Sequence, residues 1–150
     1  MTTRNRPLAD VAGDLNSAAI HLLRGLRATD RAAGLTPARL SALSVLVFGG
    51  PCTLGRLART EDVAGPTMTR IVDGLVDLGL AERSPHPDSA RMVLVSPTSE
   101  GTELMHQARD ARLSVIAAAL RRLPVADRRA VVAAADALRD LAREVAAVSQ

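Results

Sequence analysis

This sequence predicts a mainly helical chain carrying one small β-hairpin, and three observations predict it. Apolar residues recur at helical spacing along most of its length. They are almost all Leu, Val, Ile and Ala, with Phe48 the only aromatic side chain, and Leu and Ala favour helix. One short segment, "RMVLV" from Arg91 to Val95, is β-branched and follows turn residues, as a strand does.

The elements follow in order. From about Leu8 to Asp30, the residues Leu8, Val11, Leu15, Ala18, Leu22 and Leu26 keep a near-heptad spacing, which predicts an amphipathic first helix ended at Gly34. Thr36 is placed to cap a second helix and Pro37 to open it. Leu35 and Leu40 stand where a hydrophobic staple packs, and Leu40, Leu43, Leu46 and Val47 form the apolar face until "GGP" at 49–51. Thr53 caps a short third helix, "LGRLART", with Cys52 and Leu57 at its staple positions.

After "EDVAG" comes "GPTMTRIVDGLVDLGL", a fourth helix with Pro66 in its first turn and Gly79 as a left-handed stop. Met68, Ile71, Val72, Leu75 and Leu78 make its apolar face. The opposite face carries Thr67, Thr69, Arg70, Asp73, Gly74 and Asp77, where Arg70 can pair with Asp73 at i,i+3 spacing. "AER" from Ala81 then pairs with "RMVLV" as a two-stranded ribbon, and Pro85 and Pro87 make "SPHPDSA" its projecting tip. Thr98 caps a long fifth helix with Glu100 in its first turn. Leu104, Ala108, Ala111 and Val115, then Leu113, Ile116, Leu120 and Leu123, are its apolar positions. Pro124 breaks the pattern, and a last helix from about Val125 to Val148 carries Val131, Ala135, Leu138, Ala142 and Val145.

Composition narrows the function classes. A chain of 150 residues suits one compact domain or a core with extended arms, and its 47% hydrophobic content is ample for a core. Its one cysteine, Cys52, allows no internal disulfide, and at a staple position it reads as buried and structural. No apolar run approaches the ~20 residues of a membrane span, and "MTTRNRPLADVAGD" lacks the apolar core of a secretory signal, so a cytoplasmic protein without a membrane partner is expected. His21, His86 and His106 show no ligand spacing, so neither a metal nor another cofactor is implied. Nothing resembles a catalytic triad, a phosphate loop or a paired-carboxylate site, and an enzyme is the least supported class.

All 19 basic residues are arginine, against 16 acids, and their placement is uneven. Residues 1–49 hold six arginines and three acids, residues 50–97 five and six, and residues 98–150 eight and seven. Overall basicity attracts nucleic acid, yet the central segment is not itself basic.

The order helix, helix, short helix, polar-faced helix, hairpin describes a winged helix-turn-helix. A major groove admits one α-helix, whose short polar side chains reach base edges, and a helix N-terminus favours phosphate. A hairpin beside it can put an arginine into a narrow minor groove. The expected partner is double-stranded DNA. The expected contacts are Thr53, Pro66, Thr67, Thr69 and Arg70, with Ser89 and Arg91 in the wing.

These residues resemble the MarR family of bacterial transcription regulators. Its "TR-x-V-x-x-L-x-x-x-G-L-x-x-R" signature is filled by Thr69, Arg70, Val72, Leu75, Gly79, Leu80 and Arg83, and its "V-x-x-T-x-x-G" exit by Val95, Thr98 and Gly101. Two departures stand out. The family wing reads Asp-x-Arg, whereas Asp88-Ser89-Ala90-Arg91 is one residue longer, and Gly74 stands where a larger polar or basic residue is common. The resemblance implies a single MarR-like chain over residues 1–150, with a DNA-binding region at 36–97 and helical dimerisation regions at 1–34 and 98–150. It implies a homodimeric repressor of an inverted-repeat operator, released by a small hydrophobic, phenolic or anionic effector. His21 and His106 are the candidate effector contacts from sequence. Two alternatives stand beside this reading. One is a redox-responsive regulator acting through Cys52; the other is a helical interaction module that has lost DNA binding.

Overall fold

The computed structural model describes residues 6–87 and 89–148, the side chains of residues 90 and 91 excepted. The element order is α1 (Leu8–Ala32), α2 (Pro37–Gly49), β1 (Cys52–Thr53), α3 (Leu54–Thr60), α4 (Gly65–Asp77), β2 (Ala81–His86), β3 (Ser89–Pro97), α5 (Ser99–Arg122) and α6 (Val125–Val148). Two compact units divide the chain, Met1–Arg112 and Leu113–Gln150. No single helix among the described residues is long and apolar enough to cross a membrane.

The first unit owes its shape to local signals at the helix ends. Thr36 Oγ1 accepts the Arg39 N–H at 3.4 Å, and Thr53 Oγ1 accepts the Arg56 N–H at 3.3 Å. Pro37 and Pro66 occupy opening positions of α2 and α4, where a missing N–H costs nothing. The turn between α3 and α4 closes through the Val63 N–H on the Ala58 carbonyl at 3.0 Å. Gly79 adopts φ +70° after α4, a left-handed conformation that an L side chain resists.

The apolar faces of these helices meet in one core. Leu43 and Leu46 of α2, Leu57 of α3, Met68, Val72 and Leu75 of α4 and Val95 of β3 have no exposed surface. Cys52, Ala81 and Met105 close its edges.

The sheet has three strands rather than the two of the expected ribbon, in the order β1-β3-β2 and antiparallel throughout. Cys52 and Thr53 pair with Val95 and Leu94, so the residues before α3 serve both as a strand and as its cap. The hairpin also reaches further than "AER" and "RMVLV". Ala81 pairs with Pro97 and Pro85 with Val93, with an irregularity between Pro85 and His86. Proline is tolerated there because β2 is an edge strand.

Thr98 ties the hairpin exit to α5. Its hydroxyl donates to the Gly79 carbonyl at 2.7 Å and accepts the Gly101 N–H at 3.0 Å. Gly101 itself is buried, and a Cβ there would collide with the Leu80 carbonyl oxygen. The threonine and glycine of the "V-x-x-T-x-x-G" exit thus hold the first turn of α5 on the end of α4.

Two expectations for α4 need correction. Leu78 repeats the apolar spacing but lies beyond the helix end at Asp77 and is 52% exposed. Gly74, assigned to the polar outer face, is buried, because the guanidinium of Arg39 from α2 lies across it.

In the second unit, α6 contains no buried residue, and Val125, Val131, Val132, Leu138, Leu141, Val145 and Val148 are exposed along it.

Candidate nucleic-acid interface and an arginine-lined cavity

Pro66, Thr67, Thr69 and Arg70 come together as an exposed patch on the first two turns of α4. The opposite face of the same turns is pinned by Met68 and Val72 in the core, so the patch cannot rotate inward without breaking that packing. Thr69 Oγ1 donates to the Gly65 carbonyl at 3.1 Å, a bond within the helix. No ion pair engages Arg70 among the described residues. The expected Arg70–Asp73 pair is replaced by Arg83 from β2, whose Nη2 lies 2.7 Å from Asp73 Oδ1. That pair ties α4 to the base of the hairpin and cancels one of the two negative charges on the outer face.

Thr53 is half-buried, with its hydroxyl committed to the α3 cap. Ser89 begins β3 at intermediate exposure, and Arg91 follows in the same strand, its side chain outside the described residues. Asp88, the acid of the lengthened wing pair, also lies outside them.

A cavity of about 770 Å³ opens between α1, α2 and the first part of α5. Leu23, Leu35, Leu40, Phe48 and Met105 supply apolar walls, and Ser41 and Ser44 add hydroxyls. Four arginines, Arg27, Arg31, Arg109 and Arg112, line it against one acid, Asp30. Arg112 Nε reaches Asp30 Oδ1 at 2.5 Å, joining α5 to α1 across the cavity wall. Neither His21 nor His106 is a lining residue. His21 Nδ1 lies 2.9 Å from the Ser17 carbonyl oxygen, and His106 packs edge-on against Phe48 with ring centres 5.8 Å apart. Residues 30 and 112 stand 82 positions apart, so no local spacing could announce the pair.

Cys52 is buried at the core edge, and burial pushes its thiol pKa up against a weaker opposing pull from Arg56. Reactive cysteines are exposed and held as thiolates. This one has the opposite environment. Among the described residues, no group of three or more His, Cys, Asp or Glu gathers to hold a metal ion.

Comparison with known proteins agrees with this geometry. A family model described as the MarR family matches residues 33–92. An HTH-type transcriptional regulator of Mycobacterium bovis is 39% identical over 136 residues, spanning 91% of this chain and 95% of that protein. The crystal structure of RV1404 from Mycobacterium tuberculosis superposes with a TM-score of 0.81 at 26% identity, covering 93% of this chain and 97% of that one. A MarR family protein from Bacillus stearothermophilus shares the fold with a TM-score of 0.80 at 23% identity, covering 97% and 99%. With its polar-faced α4 set in a winged helix-turn-helix, this chain belongs to the MarR family of DNA-binding transcriptional regulators.

Proposed function

We propose that the protein is a homodimeric repressor that reads an inverted-repeat operator in the cytoplasm and is released by a small effector. In this reading residues 36–97 bind DNA and residues 1–34 and 98–150 dimerise. The observation that carries it is the exposed patch of Pro66, Thr67, Thr69 and Arg70, held outward by a helix whose other face is locked in the core. The short side chains of Pro66, Thr67 and Thr69 beside the longer Arg70 suit entry of the α4 N-terminus into a major groove. Thr53, Ser89 and Arg91 complete the proposed contact set, with Arg91 directed to the minor groove.

Dimerisation is supported by the apolar residues left on α6 and by Leu8, Ile20, Leu22 and Leu23 of α1, all of them exposed in the single chain. An effector with an apolar body and a negative charge suits the cavity, whose apolar walls carry four arginines against one acid. Helix α2 lines that cavity through Pro37, Leu40 and Ser41 and also packs on α4. A ligand that shifts α2 therefore shifts the reading helix, which gives the two sites a physical connection.

The test is binding to DNA from upstream of the protein's own gene across a salt series. A sequence-selective complex that weakens linearly with log salt is expected. Absence of any complex with genomic fragments at low salt would favour the interaction-module reading. Arg91→Ala is expected to weaken the complex, and an unchanged affinity would remove the wing from the contact set.

A further inference from the structure

Arg39 and Gly74 form an arrangement that neither residue's own helix explains. Arg39 lies in the first turn of α2, anchored by its N–H on Thr36 Oγ1. Its side chain crosses to α4 and lies where a side chain at position 74 would be. A Cβ built on Gly74 falls among Nε, Cζ and Nη2 of the Arg39 guanidinium. Gly74 is thus a notch in α4, and the arginine from α2 fills it.

The notch sits on the flank proposed above to meet DNA. Gly74 follows Arg70 by four residues and Thr67 by seven, so the three stack along one side of the helix. Arg39 is only half-buried, so the guanidinium keeps access to solvent. No carboxylate lies within 4.0 Å of it among the described residues, while Asp73 on the neighbouring row is taken by Arg83. An arginine seated against a helix and free of an acidic partner is pre-set to meet an anion.

We propose that Arg39 is a DNA-backbone contact of this protein, a positive charge that α2 lends to the reading helix through the glycine at position 74. This rests on the DNA-binding reading above and extends it to a residue outside α4 and the wing. It also answers a shortfall in charge, because α4 itself carries one arginine and two aspartates. The guanidinium occupies the place where a basic side chain rooted on α4 would otherwise stand.

The experiment uses the full chain and a labelled mixed-sequence duplex of about 30 base pairs, long enough for two half-sites a turn apart. Phosphate contacts are independent of sequence, so non-specific binding at low salt reads them directly. Each phosphate contact contributes a salt slope of about −0.9, which amounts to about 8-fold in affinity at 0.1 M salt relative to 1 M. Arg39→Ala is expected to flatten the slope by about 0.9 per subunit and to weaken binding at 0.1 M salt accordingly. Gly74→Ala is expected to do the same by evicting the guanidinium, without lowering the melting temperature, because alanine is the better helix former. In the Arg39→Ala background, Gly74→Ala should have no further effect on binding. Wild-type binding with an unchanged slope in both variants would overturn the proposal and leave the DNA-binding reading intact. Failure of the wild-type chain to bind any duplex at low salt would overturn both. A change in affinity at constant slope would assign Arg39 to packing alone, and would also overturn the proposal.

Discussion

Leu43 and Leu138 are both leucines on helical apolar faces, and the molecule treats them in opposite ways. Leu43 of α2 has no exposed surface and sits among α3, α4 and the sheet. Leu138 of α6 is 43% exposed, on a helix with no buried residue. The winged region satisfies its own hydrophobic pattern within one chain and so can hold a reading helix rigidly. The last helix carries an equally regular pattern that stays exposed along its length. Apolar periodicity marks a face; it does not report what covers it.

Substitution of each leucine separates the two cases. Leu43→Ala should cost about 2–5 kcal/mol in denaturant unfolding, as large-to-small changes in closed cores do. A cost below about 1 kcal/mol would mean that this core relaxes around the gap, contrary to its close packing. Leu138→Asp should act differently. It should shift sedimentation from dimer to monomer and abolish operator binding, while the helical circular dichroism signal is retained. An unchanged dimer would show that this face of α6 is not the interface.

The smallest expected effect concerns the junction between the wing and α5. Glu100 is held below its ordinary carboxylate range by its own backbone N–H and then by the Ser99 and Thr98 hydroxyls. A carboxyl group with a lowered folded pKa stabilises the fold above its unfolded value, ordinarily about 4.3, and loses that contribution as pH falls through the folded value. Glu100→Gln should therefore lower stability slightly at neutral pH and converge on wild type as the pH falls, which flattens the acid side of the stability curve. A steeper acid loss in the variant would contradict this account of the cap.

Features set by neighbouring residues were legible in the sequence. The caps at Thr36, Thr53 and Thr98, the openings at Pro37 and Pro66 and the stop at Gly79 are each decided by a residue and the few beside it. Features set by distant partners were not. Cys52 read only as a staple residue, because its strand pairing with Val95 depends on a hairpin far along the chain. Gly74 read as part of a polar face, because the side chain that fills its place comes from α2. Leu78 kept the apolar spacing but lost its burial when the helix ended one residue earlier. The patch on α4 was readable, since its polar residues are consecutive in one helix. The cavity was not, since its arginines come from α1 and α5 and its apolar walls from three helices.

The central claim is that two copies of α4 and its wing read DNA together. Hydroxyl-radical footprinting on a genomic fragment selected by the protein tests it most directly. The account predicts two protected patches on the same face of the duplex, with centres about one helical turn apart and related by inverted-repeat symmetry. A single patch without a symmetry mate, or protection that does not depend on Thr67, Thr69 and Arg70, would contradict it.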